Sequence, residues 1–344
     1  MRLLALTRGP DTPSARFRFR QYLPTLAESG IDCVERYPPH GATAPPGSRA
    51  VRLRWLAETL PSTAAAPVVA RRFDTVLLQK PLLTNRRSVE PLLPAGYAFD
   101  VDDATWLRSP KGVDAIARRA GVVIAGNEFI AEHFASLAPT VVIPTGVDLD
   151  RWHPAAGEAV ADGPPTIVWS GGHTGFADLA IAAPALRRVL ARHPQVRLRI
   201  MADLEPPTTL GLPAERVDYL PWSREVEVEA LNSATVGMMP LRDSDWARGK
   251  CAYKMLLYLA CGIPAVASGV GMNAEVAGVA PSAVTLADSD DEWVAALESR
   301  LTDPAGSARD GASGRVAIRP HYGTDATGHR LASVLHSLPE RRLR

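Results

Sequence analysis

Cysteine is scarce in this chain of 344 residues. Only Cys33, Cys251 and Cys261 are present, and no C-x-x-C spacing occurs. An odd count without that spacing argues against a disulfide framework or a zinc site and is typical of a reducing compartment. The net charge is also small, at +1, so the chain has no global basic field of the kind that binds nucleic acid. We therefore expect a cytoplasmic protein with no metal centre and no nucleic-acid partner.

Long apolar runs are also missing. None approaches the roughly 18 residues that a membrane-spanning helix needs. The apolar start MRLLALTRGP is closed by Arg8 and Pro10, which makes it too short for a signal peptide, and it predicts a buried strand instead. No transmembrane segment is expected, although peripheral contact with a membrane stays open.

What the chain does have is 46% hydrophobic residues over a length that suits two domains of roughly 150 residues each. Short apolar runs alternate with helical patterns, which predicts parallel sheets covered on both faces. A helix is predicted in ARFRFRQYLPTLAESG, ending at Gly30. The predicted strands are RLLALT, IDCVERY, TVLLQK, YAFDVD, GVVIAG and TVVIPT in the first half, and TIVWSG, VRLRIMA, RVDYLPW, TVGMMPL, AVAS and AVTLA in the second.

The alternation breaks once, in a stretch rich in Pro, Gly and Ala that predicts a linker. The resulting fold class is α/β, with two Rossmann-like, doubly wound domains facing across a cleft. Ligands of such sheets bind beyond the carboxyl ends of the strands. Helices are predicted near residues 176–192, 224–232 and 250–260, and one more begins at the capping box of Ser289 and Glu292. The predicted divisions are a first Rossmann-like domain at 1–150, a linker at 151–165, a second Rossmann-like domain at 166–320 and a C-terminal helical segment at 321–344 that packs back on the first domain.

Two lysines open the apolar helix predicted from residue 250. Lys250 and Lys254 are four residues apart and so would share one helical face. Two solvated lysines would explain this pattern. However, the surrounding helix is apolar nearly all round, and a buried ammonium needs an anionic partner. Asp243 and Asp245 lie nearby and could pair with the lysines, and a phosphate at the positive end of the helix is the other candidate.

Three further motifs follow predicted strands. WSGGHTG contains Gly171, Gly172 and His173 in a strand-to-helix turn that fits either an ordinary connection or a phosphate site. SARFRFR carries Arg16 and Arg18, which suit either bidentate phosphate contacts or a solvated helix face. FDVDDATW places Asp102 and Asp103 at a strand end, where such carboxylates cap a helix, hold sugar hydroxyls, act as a base or bind a metal.

Taken together, several of these stretches resemble the family 4 group of retaining glycosyltransferases, which have the GT-B fold. The stretches are GKCAYKMLLYLACGIPAVASGVGMNAEV, IVWSGGHTG, VVIPTGVDLDRWHP, VGMMPLRDSDWARGK and FDVDDATW. The resemblance implies that a nucleotide diphosphate sugar is bound mainly by the second domain and that an acceptor binds the first. The acceptor would be a small molecule, a glycan or a lipid-linked sugar. It also implies transfer with retention, without a cofactor and generally without a metal.

The resemblance also implies roles for particular residues. Lys250 and Lys254 would face the diphosphate, and Asp102 and Asp103 would fall near the reacting sugar. The residues implied in donor binding are Arg16, Arg18, Gly171, Gly172, His173, Trp222 and Leu257.

This sequence departs from the family pattern at two positions. Gly249 and Leu257 stand where many relatives have glutamates, and the second of these glutamates usually holds the donor ribose. A leucine cannot hold ribose hydroxyls. A non-catalytic GT-B protein that binds a nucleotide or a partner glycosyltransferase is therefore the alternative to a transferase. A nucleotide-sugar epimerase of the same fold is more distant, because no paired acid and base are evident.

Overall fold

The computed structural model describes residues 1–84, 89–154 and 163–339. Within these residues, twelve strands form two parallel six-stranded sheets, which confirms the predicted α/β class and all twelve predicted strands. The strands of the first sheet are β1 (Arg2–Leu6), β2 (Asp32–Arg36), β3 (Thr75–Gln79), β4 (Tyr97–Val101), β5 (Ala120–Ala125) and β6 (Thr140–Val142). Those of the second are β7 (Thr166–Ser170), β8 (Arg197–Ala202), β9 (Val217–Pro221), β10 (Val236–Met239), β11 (Ala265–Ala267) and β12 (Val284–Leu286).

Helices connect most of the strands. Before the second sheet lie α1 (Pro13–Arg18), α2 (Leu23–Glu28), α3 (Arg49–Ala70), α4 (Pro110–Ala117) and α5 (Glu128–Phe134). Within and after it lie α6 (Phe176–Arg192), α7 (Glu227–Asn232), α8 (Asp245–Arg248), α9 (Tyr253–Ala260), α10 (Met272–Val279), α11 (Asp290–Thr302), α12 (Pro304–Tyr322) and α13 (Thr324–Ser337). The predicted capping box is confirmed at the start of α11. The helix predicted up to Gly30 is split into α1, a 3-10 turn and α2, with Pro24 in the first turn of α2.

Both sheets are doubly wound. The first has the strand order β2-β1-β3-β4-β5-β6, and the second β12-β11-β10-β7-β8-β9. The chain direction across the sheet therefore reverses between β1 and β3 in the first sheet and between β7 and β10 in the second. In open parallel sheets, ligands bind beyond the strand ends at these reversal points. A ligand is therefore expected beside the residues that follow β1, β3, β7 and β10.

The chain divides into two compact units. Unit 1 comprises residues 1–146, 249–251 and 324–344, and unit 2 comprises residues 147–248 and 252–323. In unit 1, helix α13 packs on α2, and its Leu331 and Leu335 are buried with Leu3 and Leu77 of the sheet in one apolar cluster. In unit 2, strands β7 and β8 are buried beneath α6 and α11. Residues 155–162, in the middle of the predicted linker, lie outside the described residues.

The prediction of a helix starting at Lys250 is wrong. Helix α9 begins at Tyr253, and Ala252 before it has a left-handed φ of +47°. Lys250 therefore does not share a helical face with Lys254. The physical reason is tertiary: Asn127 Nδ2 donates to the Lys250 carbonyl at 3.0 Å, and Cys251 Sγ donates to the Asp102 carbonyl at 3.3 Å. These contacts hold residues 249–251 in unit 1 and override the local helical preference.

Among the described residues, no helix combines the length and the apolar character that crossing a bilayer requires.

Candidate functional site

A buried ion-pair network lies at the reversal point of the first sheet. Lys80 follows β3, and its Nζ lies 2.6 Å from Asp102 Oδ1 and 2.5 Å from Asp103 Oδ2. The same ammonium donates to Ser14 Oγ at 2.9 Å, and the Ser14 hydroxyl donates to Asp102 Oδ2 at 2.9 Å. The cation thus follows β3, the two carboxylates follow β4, and the hydroxyl lies in the first turn of α1. Both carboxylates were predicted from the sequence, but Lys80 was not, although it is the last residue of the predicted strand TVLLQK.

The two carboxylates differ in their environments. Burial acts to raise the pKa of Asp102, but Lys80 and Arg18 outweigh it, so this pKa is lowered. Burial also raises the pKa of Asp103, and there Lys80 only partly opposes it. The Asp103 side chain is 35% exposed, against 15% for Asp102. Asp103 is therefore the carboxylate that a ligand can reach, while Asp102 is largely occupied by protein groups.

The backbone at Lys80 is strained. Its φ is +56°, in the left-handed region that a non-glycine residue rarely occupies. The ammonium itself is 5% exposed, and the adjacent carboxylates raise its pKa in spite of burial, so it stays charged. Such strain costs on the order of 1–3 kcal/mol and tends to be found at functional sites. The turn after β3 therefore holds Lys80 in a fixed position between the two carboxylates.

Arg18 lies beneath this network. Its Nε donates to both carboxylate oxygens of Asp100 at 3.2 Å, and its Nη1 donates to the Ile143 carbonyl at 2.6 Å. Arg18 and Asp100 are 3% and 2% exposed. The guanidinium is thus occupied by protein groups, and a structural role accounts for Arg18 without a ligand. Arg16 is also buried, and its guanidinium carbon lies 4.7 Å from the centroid of the Phe17 ring.

In unit 2, the glycine turn follows β7 at the second reversal point. A Cβ atom added to Gly171 would lie 2.6 Å from Cη2 of Trp169 and 3.1 Å from Cε of Lys254. The absent side chain is what lets the turn cross the indole ring so closely. The Lys254 side chain and the backbone of the turn are therefore neighbours.

Tyr258 fixes the position of helix α9 over the sheet. Its hydroxyl accepts from the Ser170 backbone N–H at 3.0 Å and donates to the Met238 carbonyl at 3.3 Å. Its ring also fills the space in which Gly237 lacks a side chain. Lys254 lies one helical turn before Tyr258, in the first turn of α9, where the N-terminal end of the helix carries positive potential. The ammonium, the helix terminus and the glycine turn all favour an anion.

His173 is paired with an acid that sequence analysis missed. Its Nδ1 lies 2.6 Å from Asp203 Oδ2, and its backbone N–H donates to Asp203 Oδ1 at 2.5 Å. The bond to His173 lowers the pKa of Asp203. Asp203 orients the imidazole so that Nε2 is left as the outward nitrogen. The available signal was its position, since Asp203 directly follows the predicted strand VRLRIMA.

Three further predicted site residues are Trp222, Leu257 and Lys250. Trp222 follows β9 and is 38% exposed. Leu257 is on the same side of α9 as Lys254, three residues further on, but it is 3% exposed and belongs to the core of unit 2. Lys250 lies in the segment that belongs to unit 1. Asp243, considered above as a partner for the lysines, instead accepts from Arg248 Nε and Nη2 at 2.8 and 2.9 Å.

Replacing Gly171 by alanine should destabilise the protein by about 1–3 kcal/mol, because the new methyl group must displace the Trp169 ring or the Lys254 stem. The matched control is Gly278→Ala in α10, where a Cβ atom meets nothing within 4 Å. This control should be neutral or slightly stabilising. Urea unfolding of both variants measures the difference. Equal stability of the two would show that the turn does not require a glycine.

The chain is similar to proteins of known family and structure. Residues 164–303 hold the glycine turn and Lys254, and they match the family model described as Glycosyl transferases group 1. No protein of curated function matches the chain in sequence.

Solved structures match nearly the whole chain. HepE of Anabaena in complex with UDP and glucose is 16% identical over 98% of this chain and 100% of that chain, with a TM-score of 0.68. Sucrose-phosphate synthase from Thermosynechococcus elongatus is 15% identical over 97% and 98% of the two chains, with a TM-score of 0.67. The chain has the GT-B fold. A glycosyltransferase from Rickettsia africae is a further similar structure, with 10% identity, 97% coverage of both chains and a TM-score of 0.70.

Within the GT-B fold of this protein, the two reversal points carry different chemistry. That of unit 1 carries the Lys80, Asp102, Asp103 and Ser14 network. That of unit 2 carries Lys254 against the glycine turn. The first presents a carboxylate to a ligand and the second presents positive charge.

Proposed function

We propose that the protein is a glycosyltransferase that moves a sugar from a nucleotide diphosphate sugar to an acceptor hydroxyl. The observation that carries the proposal is the close approach of Lys254 to the backbone of the Gly171 turn, inside the region that matches the Glycosyl transferases group 1 model. A diphosphate bound there meets an ammonium, a helix N-terminus and a backbone without side chains in its way. HepE, which shares the fold, has been determined in complex with UDP and glucose.

The chemical task of the donor site is to stabilise a leaving diphosphate. Negative charge develops on that group as the bond to the sugar breaks, and fixed positive groups lower the barrier to this step. Lys254 supplies that charge, and the imidazole of His173, oriented by Asp203, is a second group in the same turn that a phosphate can contact. We propose family 4-like transfer with retention, in which these groups perform the task without a metal ion.

The acceptor role falls to the carboxylate of Asp103 in unit 1. This group is partly exposed, and Lys80 holds it in place. A carboxylate so placed can accept a hydrogen bond from a sugar hydroxyl or take up its proton. Asp102 then serves to position Lys80 and Ser14.

The first test is direct. The full chain is titrated with UDP and GDP by calorimetry and is then incubated with a panel of nucleotide sugars, with and without added acceptors. Binding of a nucleoside diphosphate together with acceptor-dependent release of that nucleotide supports the proposal. Retention is read from the anomeric configuration of the product by NMR. Binding without any turnover would favour the non-catalytic alternative, and the absence of binding would overturn both.

Substitution of Asp103 by asparagine should reduce kcat/KM about 100-fold, as expected for loss of a general acid or base, while leaving UDP affinity nearly unchanged. Because burial raises the pKa of Asp103, turnover by the parent should fall as the pH drops through that raised value and the carboxylate becomes protonated. The control is Asp32→Asn, whose carboxylate is 73% exposed in the same unit. Equal loss of turnover and of UDP affinity would contradict the assignment of Asp103 to the acceptor.

A further inference from the structure

A cavity of about 530 Å³ opens in unit 1. Its walls come from the last residues of β1 and β2, the turn that follows β2, the middle of α3, and Leu82 after β3. Ligand pockets of proteins typically span about 300–1,000 Å³, so the cavity can hold a compound with one or two rings. None of the predicted site residues lines it.

The walls are mainly apolar and stiff. Tyr37, Pro38, Pro39 and Pro61 present flat rings to the space, and Ala65 contributes only a methyl group. Pro61 lies inside α3, where a proline removes a hydrogen bond and costs about 3 kcal/mol. These small and ring-shaped side chains do not fill the space between them, so the cavity remains open.

The charges of the wall do not favour a cation. Glu35 is the carboxylate in the wall, and it lies 2.6 Å from Arg20 and also accepts from the Thr7 hydroxyl at 2.6 Å. Its side chain is 14% exposed. Ser62 and Thr63 both donate their hydroxyls to the Thr59 carbonyl, within their own helix. Glu35, Ser62 and Thr63 thus already have protein partners, and the other charged residue of the wall, Arg36, is exposed to solvent. The recognition that the rest of the wall offers is apolar contact with a flat ring.

The cavity and Asp103 both lie at the carboxyl edge of the first sheet. Leu6 in its wall lies two residues before Arg8, and Leu82 lies two residues after Lys80. Arg8 Nη2 donates to the Pro81 carbonyl at 3.4 Å, which ties the two strand exits together. The cavity therefore opens at the same edge of the sheet that carries Asp103 after β4, next to β3.

We propose that this cavity binds the apolar ring of the acceptor, and that the sugar-accepting hydroxyl of the same molecule reaches Asp103. This proposal rests on the transferase function proposed above. It names the acceptor class as an alcohol or glycoside that carries an aromatic or similarly flat apolar group.

The test compares two neutral probes that differ only in the apolar group, 4-nitrophenyl β-D-glucoside and methyl β-D-glucoside. Each is titrated into the full chain, and binding is followed by ligand-observed NMR without any donor. We expect the nitrophenyl glucoside to bind about tenfold more tightly, since a buried ring removes apolar area from water. Ala65→Trp, which fills the cavity, should abolish that difference. Ala64→Trp, its exposed neighbour on α3, should preserve it.

Two results would overturn the proposal: equal affinity of both probes for the parent, or a preference that survives in Ala65→Trp. If Ala65→Trp does not melt cooperatively, Ser62→Trp provides a second filling variant, since Ser62 lines the cavity and is solvent-exposed. UDP titration of the same samples separates the two proposals. Failure to bind UDP counts against the transferase function, whereas the cavity is judged by the glucoside probes alone.

Discussion

Lys254→Ala should lower kcat/KM for nucleotide-sugar turnover about 100- to 1,000-fold, the range seen when one fixed donor to a developing negative charge is removed. Affinity for UDP or GDP should also weaken, by about 1.5–3 kcal/mol, as for a hydrogen bond to a charged group. The reason is geometric. Lys254 lies against the glycine turn, so its ammonium is within reach of a phosphate in that turn. Calorimetry and steady-state kinetics measure the two effects separately.

The matched control for this variant is Lys111→Ala. Lys111 is exposed on α4, and it should affect neither UDP affinity nor turnover. Lys254→Arg keeps the charge but changes the shape of the head group, so it should recover part of the lost activity. UDP affinity equal to that of the parent would remove Lys254 from the donor site. A drop in melting temperature that accounts for the whole activity loss would assign it a structural role instead.

Arg18→Met should lower the free energy of unfolding by about 3–5 kcal/mol, because it leaves the buried carboxylate of Asp100 without its partner. The Ile143 carbonyl also loses its donor at 2.6 Å. Removing both charges in Arg18→Met/Asp100→Leu should cost much less, since no ion is then left unpaired in the core. Urea unfolding of the two single variants and the double variant measures the coupling. Arg54→Met, which breaks an exposed pair with Glu58, is the control and should leave stability unchanged.

The pH dependence of Arg18→Met has a definite sign. Burial already raises the pKa of Asp100 above its ordinary value, and Arg18 opposes that rise. Without Arg18 this pKa rises further, so the folded state keeps a proton that the unfolded state releases. The variant should therefore regain stability relative to the parent as the pH falls through the raised pKa toward the ordinary value. A deficit that does not change with pH would contradict the assignment of Asp100 as the stranded charge.

The strands could be read from the sequence because they are short continuous apolar runs, as the all-buried β3 and β4 illustrate. Fully covered parallel sheets produce such runs. Helix α3 could not be bounded in this way. Its apolar residues are spread around the helix, Leu53 and Val68 are exposed, and it contains Pro61 and Pro67. Neither periodicity nor turn chemistry marks a helix of that kind.

The candidate site residues were predictable only where their position at the end of a strand was enough. Asp102, Asp103 and the glycine turn were found because they follow predicted strands. Lys80 also lies at the end of a predicted strand. What distinguishes it is its contacts with Asp102 after β4 and with Ser14 in α1, and contacts between residues so far apart in the sequence cannot be read from the sequence alone. The start of α9 was mispredicted because Asn127, more than a hundred residues away, holds Lys250 outside the helix.

The division of the chain into two units also affects how the protein can be dissected. The backbone passes from one unit to the other after residues 146, 248, 251 and 323, so neither unit is a single continuous stretch. A fragment ending at residue 146 would lack α13, whose Leu331 and Leu335 complete its core, and would expose that apolar surface to solvent. Separate production of the halves therefore calls for circular permutation or co-expression of complementary fragments, with residues 249–251 supplied to the first half.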